Sequence, residues 1–184
     1  MKSILSTKKL TSAQKNLILG AGFSVVEYDA IQIEFLDVEF PKNLENLIFT
    51  SKNGVQAFLK TQPDLNTETF SCFCVGSKTE SSLIKKGFKV VKTAQNAADL
   101  ADFIVKNYKN AHFSFFCSAI RRDELPDYLT KNQVSFEEIV CYKTQLNTQE
   151  FKQEFDAVLF FSPSGVQSFS AVNHFKNMLS VCIG

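Results

Sequence analysis

Charge of one sign is what this sequence lacks most plainly: 20 Lys and Arg face 19 Asp and Glu, for a formal net charge of +1. Such a balance excludes the polybasic field that tracks nucleic acid or an anionic bilayer, so any bound anion must be held by local groups. Long apolar runs are missing too. No stretch approaches the roughly 20 apolar residues that span a membrane. The opening MKSILSTKKLTSAQKN has one short apolar run followed by Lys8 and Lys9, too short and polar for a secretory leader. A cytoplasmic protein with no nucleic-acid or membrane partner is expected.

Familiar catalytic signatures are also absent. There is no G-x-G-x-x-G, no G-x-x-x-x-G-K-[ST] and no H-E-x-x-H, nor a G-x-S-x-G. The two histidines stand apart: His112 precedes a strand and His174 lies in a helix-like segment, without an evident Asp or Cys partner. Asp123 and Glu124 read as acids favouring a helix N-terminus rather than as an acid/base pair. The five cysteines (Cys72, Cys74, Cys117, Cys141, Cys182) make an odd set, four of them in strand-like runs, and read as buried thiols of a reducing compartment. Cys72 and Cys74 are expected on opposite faces of one strand, and no second pair completes a site, so no metal is expected. A catalyst built from these residues works mainly by binding and orientation.

What is present is a regular alternation. Short apolar runs such as NLIFTS, FSCFCVG, FKVVK, AHFSFFCS and DAVLFFS are followed by amphipathic runs such as NGVQAFL, TESSLIKKG and AADLADFIVKNY. This is βαβα punctuation, the pattern of a parallel, doubly wound α/β sheet. With 45% hydrophobic side chains over 184 residues, the chain can bury one large core or two small ones.

The most informative feature is an internal repeat. IFTSKNGVQAF at 48–58 matches LFFSPSGVQSF at 159–169, setting Ser51 on Ser162, Gly54 on Gly165, Gln56 on Gln167 and Phe58 on Phe169, a shift of 162 − 51 = 111. The same shift sets SILST at 3–7 on SFFCS at 114–118 and brings 22–30 near 133–141, while CVG at 74–76 matches CIG at 182–184. The second copy thus ends at the counterpart of Gly76. On the duplication alone, about 35 to 40 further residues, a helix, a strand and a helix, are expected, and one domain is expected to be incomplete at its C-terminus. Two β-like stretches without an intervening helix, 28–37 and 139–147, occupy equivalent places in the two copies. They are expected to form a two-stranded β linker between a continuous domain, 38–138, and a discontinuous one, 1–27 plus 148–184.

In parallel α/β sheets, ligands sit beyond the carboxyl ends of the strands, where helix N-termini aim free N–H groups outward. The loops to watch are therefore Ser51-Lys52-Asn53-Gly54, Gly76-Ser77-Lys78-Thr79, Ser118 to Arg122, and Ser162-Pro163-Ser164-Gly165. A charge-assisted hydrogen bond in such a loop is worth about 1.5 to 3 kcal/mol, so several loops can hold a polyanion without a basic surface. The competing reading is that Ser, Thr and Asn cap helices and Gly turns the chain.

The segments IFTSKNGVQAF, CVGSKTESSL, FFCSAIRRDELPDYL, EEIVCYKTQ and VLFFSPSGVQSF occur in the order and spacing of uroporphyrinogen-III synthases, and the chain resembles that family over essentially its whole length. The resemblance implies two flavodoxin-like parallel-sheet domains joined by a two-stranded β linker, with the active site in the cleft between them. It also implies a lyase of tetrapyrrole (haem) biosynthesis that needs no cofactor and acts as a monomer on hydroxymethylbilane. Loss of the terminal hydroxyl gives an azafulvene, and closure through a spiro intermediate inverts the D ring to give uroporphyrinogen III.

Tyr142 matches the tyrosine of the family's V-x-x-Y-x-T/R pattern and is implied to hydrogen-bond or protonate the leaving hydroxyl; as a residue it reads equally as a tyrosine packing in the linker. Thr79 matches the threonine after the V-G segment, as a second catalytic candidate or the start of its helix. Arg122 matches the arginine of the following loop, to pair a carboxylate or to brace that loop. Ser51, Asn53, Gly54, Gly76, Ser77, Lys78, Ser118, Ser162, Ser164 and Gly165 carry over as binding-loop positions. Ser118 departs from the pattern, standing where glycine is usual, and the threonines that follow I-G in the family are missing after Gly184. A two-lobed, non-catalytic binder of a small anion is the alternative reading. A response-regulator-like domain is disfavoured because no acidic cluster ends the first strand.

Overall fold

The computed structural model describes residues 2–61, 66–175 and 177–183. Gly184, which closes the Cys-Ile-Gly match, lies outside the described residues. Two compact units emerge: one holds 1–32 and 145–184, the other 33–144. The chain passes between them within two strands, β3 (Ile31–Phe35) and β8 (Ser135–Leu146).

The continuous unit carries, in chain order, β4 (Asn46–Phe49), α2 (Lys52–Thr61), β5 (Ser71–Val75), α3 (Ser77–Ile84), β6 (Lys89–Ala94), α4 (Ala97–Asn107), β7 (His112–Ser118) and α5 (Glu124–Lys131). Its strands, ordered β3-β8-β7-β4-β5-β6, pair in parallel from β8 through to β6. Side chains alternate across the sheet as strand geometry demands. Leu47, Phe49, Cys72, Cys74 and Phe116 enter one core with Val55 and Phe58 of α2 and Leu83 of α3. Ile48, Phe73, Phe113, Phe115 and Cys117 enter the other with Leu100 and Ile104 of α4 and Leu125 and Leu129 of α5. The unit is a three-layer α/β/α sandwich.

Cys72 and Cys74 therefore share one face, contrary to the expectation from the sequence. Residues two apart on a strand project to the same side, and both thiols are fully buried in the same core.

The discontinuous unit carries β1 (Ser3–Ser6), α1 (Ser12–Gly20), β2 (Ser24–Glu27), β9 (Ala157–Phe160), α6 (Pro163–Ser170) and β10 (Leu179–Cys182), with parallel strands in the order β10-β9-β1-β2. Thr11 starts α1 with a capping box, its hydroxyl taking the Gln14 N–H while the Gln14 side chain takes the Thr11 N–H. Leu5, Val158, Phe160 and Phe169 form the core here. His174 is not helical as read from the sequence. The helix stops at Ser170, and beyond it the Asn173 side-chain amide donates to Phe169 O at 3.0 Å, which also accepts the Asn173 N–H at 3.0 Å, and to Gln149 O at 2.8 Å, tying the chain to the segment before β9.

The sheet orders explain the repeat. In one sheet β9 of the second copy lies beside β1 of the first; in the other, β4 of the first copy lies beside β7 of the second. Each copy lends its opening strands to the sheet built around the other's S-x-x-G-V-Q-x-F strand. Register also refines the offset at the following strands. Ser6 pairs with Glu27 and Cys117 with Val140, so the offset is 117 − 6 = 111 at the first strand and 140 − 27 = 113 at the second.

Candidate functional site

In the continuous unit the strand order reverses between β4 and β7, since β5 and β6 lie to one side of β4 and β7 and β8 to the other. Diverging loops at such a switch point leave a crevice beyond the carboxyl ends of the strands. A cavity of about 410 Å³ occupies this place, lined among others by Ser51, Ser118, Arg122 and Tyr142.

Ser51 follows β4 and opens α2. Its Oγ accepts the Gly54 N–H at 3.3 Å, a helix cap, and lies 2.7 Å from the Tyr142 hydroxyl. Gly54 permits the close approach of this helix to β7, because a Cβ there would stand 3.0 Å from the Phe116 carbonyl oxygen. Ser118 ends β7 and accepts the Ile120 N–H at 3.3 Å.

Tyr142 reaches Ser118 through an irregularity in the sheet. Cys117 pairs with Val140, but the register then skips Cys141 and sets Ser118 beside Tyr142. A bulge of this kind re-aims a side chain. Tyr142 is 7% exposed, and burial raises its phenol above the ordinary value, with hydrogen bonds to Ser51 and Ser118 offsetting part of the rise. At neutral pH it is a protonated phenol facing a cavity, a hydrogen-bond donor.

The two neighbouring arginines both line the cavity but differ in their partners. Arg121 is held by Glu138, its Nε donating to Oε2 at 3.0 Å, and by Asp123. Asp123 precedes α5 but makes no capping hydrogen bond with its side chain, its carboxylate being engaged by Arg121 instead. Arg122 is exposed, lines the cavity and makes no ion pair among the described residues. The brace and the free cation are thus different residues.

Other candidates lie elsewhere. Thr79 is the third residue of α3 and is 4% exposed; it, Gly76, Ser77, Lys78, Asn53 and Gly54 do not line this cavity. Gly76 adopts φ +83°, a left-handed turn between β5 and α3. Ser162, Ser164 and Gly165 belong to the discontinuous unit, where Ser162 Oγ accepts the Gly165 N–H at 3.1 Å as the cap of α6. Sequence reasoning passed over Gln95 and Asn96, which line the cavity from the β6–α4 loop. The signal was available: Asn96 caps α4 by accepting the Asp99 N–H at 2.8 Å, the same strand-to-cap pattern as the loops that were singled out.

His112 opens β7, its Nδ1 2.7 Å from Ser135 Oγ and its Nε2 3.5 Å from Glu137, at the end of the sheet opposite the cavity. No helix among the described residues is long and apolar enough to cross a membrane.

Fold and cavity together define a duplicated, doubly wound α/β protein whose switch-point crevice is lined by a protonated phenol and a guanidinium without an ion pair among the described residues. The family model for uroporphyrinogen-III synthase HemD matches residues 12–184. The chain belongs to the uroporphyrinogen-III synthase family, enzymes of tetrapyrrole biosynthesis, and that membership favours the enzyme over the non-catalytic binder. Its fold is similar to the crystal structure of uroporphyrinogen-III synthetase from Helicobacter pylori 26695, with a TM-score of 0.76 at 18% identity, covering 100% of this chain and 84% of that one. It is also similar to a mutant uroporphyrinogen III synthase from the extremely thermophilic bacterium Thermus thermophilus, with a TM-score of 0.62 at 13% identity, covering 91% and 75%. No curated protein matches the chain by sequence.

Proposed function

We propose that the chain acts as a cyclising hydro-lyase in the cytoplasm, as a monomer, turning hydroxymethylbilane into uroporphyrinogen III with loss of water and inversion of the D ring. The observation that carries this reading is the Tyr142 phenol in the wall of a cavity that Arg122 also lines. The substrate is a polycarboxylate, and an unpaired guanidinium is the natural partner for one of its acetate or propionate groups. The phenol donates to the departing hydroxyl.

Departure of that hydroxyl leaves an azafulvene, and the same linear molecule also closes without help to the uninverted isomer. The task is therefore to select one folded conformer, an orientation problem in which binding groups count for more than acid strength. A phenol near neutral pH is a weak acid, so Tyr142 assists the step without being indispensable. Ser51 serves the phenol, Gln95 offers its amide to the substrate, and Asn96, its amide engaged with Asp99, holds the loop before α4. Thr79, buried at the start of α3, supports its own loop. We assign the domains as 1–27 plus 148–184 and 38–138, with 28–37 and 139–147 as the linker.

The test is ring closure of freshly generated hydroxymethylbilane with the whole chain, the isomers being separated after oxidation to porphyrins. Type III product in excess over the spontaneous type I background is expected. A folded chain that leaves the isomer ratio at the spontaneous value overturns the assignment.

A further inference from the structure

A phenolic oxygen has one hydrogen and two lone pairs. One serine hydroxyl lies within hydrogen-bond distance of the Tyr142 oxygen, Ser51 Oγ at 2.7 Å, and Ser118 is the register partner of Tyr142 across the bulge. Each serine oxygen is itself fixed by a backbone donor, Gly54 N–H on Ser51 and Ile120 N–H on Ser118, both at 3.3 Å. A hydroxyl that accepts a backbone N–H still has its single hydrogen to place, and the phenol oxygen is the acceptor within reach. With Ser51 donating, one lone pair of the phenol is taken, and its own hydrogen is left for the cavity that Ser51, Ser118 and Tyr142 all line. Ser162, the repeat counterpart of Ser51, caps its helix in the same way through Gly165 at 3.1 Å, yet no hydrogen bond of its Oγ to a tyrosine occurs among the described residues.

We propose that Ser51 is a positioning residue that acts through Tyr142: by donating to the phenol oxygen it turns the phenol's own hydrogen toward the cavity, where the substrate's leaving hydroxyl is received. The inference rests on the role given to Tyr142 above. In the step itself the carbon–oxygen bond of the hydroxymethyl group breaks and its electron pair stays with oxygen. The phenolic proton joins that oxygen to form water. The positive charge left on the pyrrole system balances the phenolate, which recovers a proton from the carbon skeleton on ring closure, and no oxidant or reductant enters. As negative charge grows on the phenol oxygen, the Ser51 hydrogen bond strengthens, so its contribution belongs to the transition state more than to substrate binding.

Two measurements test this. Ser51→Ala is expected to lower kcat about tenfold with KM little changed, the pattern of an interaction made in the transition state. Ser51→Thr, which keeps the hydroxyl, is expected to restore most of the rate. In a Tyr142→Phe background Ser51→Ala is expected to add nothing; an equal loss in both backgrounds overturns the proposal. Thermal melts of each variant separate loss of the α2 cap from loss of positioning.

The second measurement needs no turnover. In protein carrying 13C-labelled tyrosine, the Tyr142 resonance is assigned by its disappearance in Tyr142→Phe and titrated with pH. Ser51→Ala is expected to move that titration to higher pH and Ser51→Thr to bring it back. An unmoved titration overturns the inference even if the chain forms type III product, whereas a chain that forms none but shows the shift loses only the assigned reaction.

Discussion

Arg121 and Arg122 are consecutive in sequence and both line the cavity, but Arg121 Nε donates to Glu138 at 3.0 Å, while Arg122 makes no ion pair among the described residues. Arg122→Ala is therefore expected to raise KM for the polycarboxylate about ten- to a hundredfold, the worth of one charge-assisted hydrogen bond at about 1.5 to 3 kcal/mol. Little change in melting temperature should accompany it. Arg121→Ala is expected chiefly to lower the melting temperature, by freeing Glu138 and loosening the loop before α5, with a smaller rise in KM than Arg122→Ala. Steady-state kinetics and melts on the two variants decide it.

The two repeat glycines make a graded pair. A methyl group at Gly54 meets the Phe116 carbonyl oxygen at 3.0 Å, a backbone atom that cannot step aside, whereas at Gly165 it meets the Thr7 hydroxyl at 3.3 Å. Gly54→Ala is expected to cost about 1 to 3 kcal/mol, the range for overpacking, and Gly165→Ala less. Urea unfolding curves at matched conditions give the order.

Burial pushes the Cys72 and Cys141 thiols up to about 12 and the Cys117 thiol up to about 11. Unfolded thiols ionise near about 8.5, so above that pH the unfolded chain gives up protons that the folded chain keeps, and stability falls as pH rises toward the folded values. Full stability from this source is expected at neutral pH and a progressive loss in the alkaline range, measured as the urea midpoint against pH. An alkylating reagent at neutral pH is expected to label exposed Cys182 alone in the folded chain, and all five cysteines after unfolding, counted by mass.

Phe58 is the hub of the aromatic packing under α2, with ring centroids of Phe116 at 5.0 Å, Phe40 at 5.3 Å, Phe70 at 5.7 Å, Phe88 at 5.8 Å and Phe49 at 5.9 Å. Phe58→Ala is expected to cost about 3 to 5 kcal/mol, the range for emptying a core aromatic site. A domain's total stability is about 5 to 15 kcal/mol, so marginal folding at 37 °C should follow, read by near-UV circular dichroism.

Much of this fold was legible along the chain because its elements are written in local terms. Ser51 and Ser162 each stand between an apolar strand and an amphipathic helix, and each does cap its helix through the residue three positions on. His174 was misread because Val172 and Phe175 extend the apolar spacing of α6, while the Asn173 side chain, bonded to Phe169 and Gln149, ends the helix. Gln95 and Asn96 were missed because their loop looks like any capped helix start until β6 is seen to bring it to the cavity.

The sequence by itself determined the duplication, the parallel α/β class and the loops at the strand ends, because period, capping and turn chemistry act over a few residues. Only the tertiary structure decided that the copies exchange strands, that Arg122 rather than Arg121 is free, and that Tyr142 meets Ser51 across 91 residues of chain. Those outcomes depend on which strands pair and in what register, and the skip at Cys117 and Ser118 that brings Tyr142 beside Ser118 is a property of two paired strands, not of either one alone.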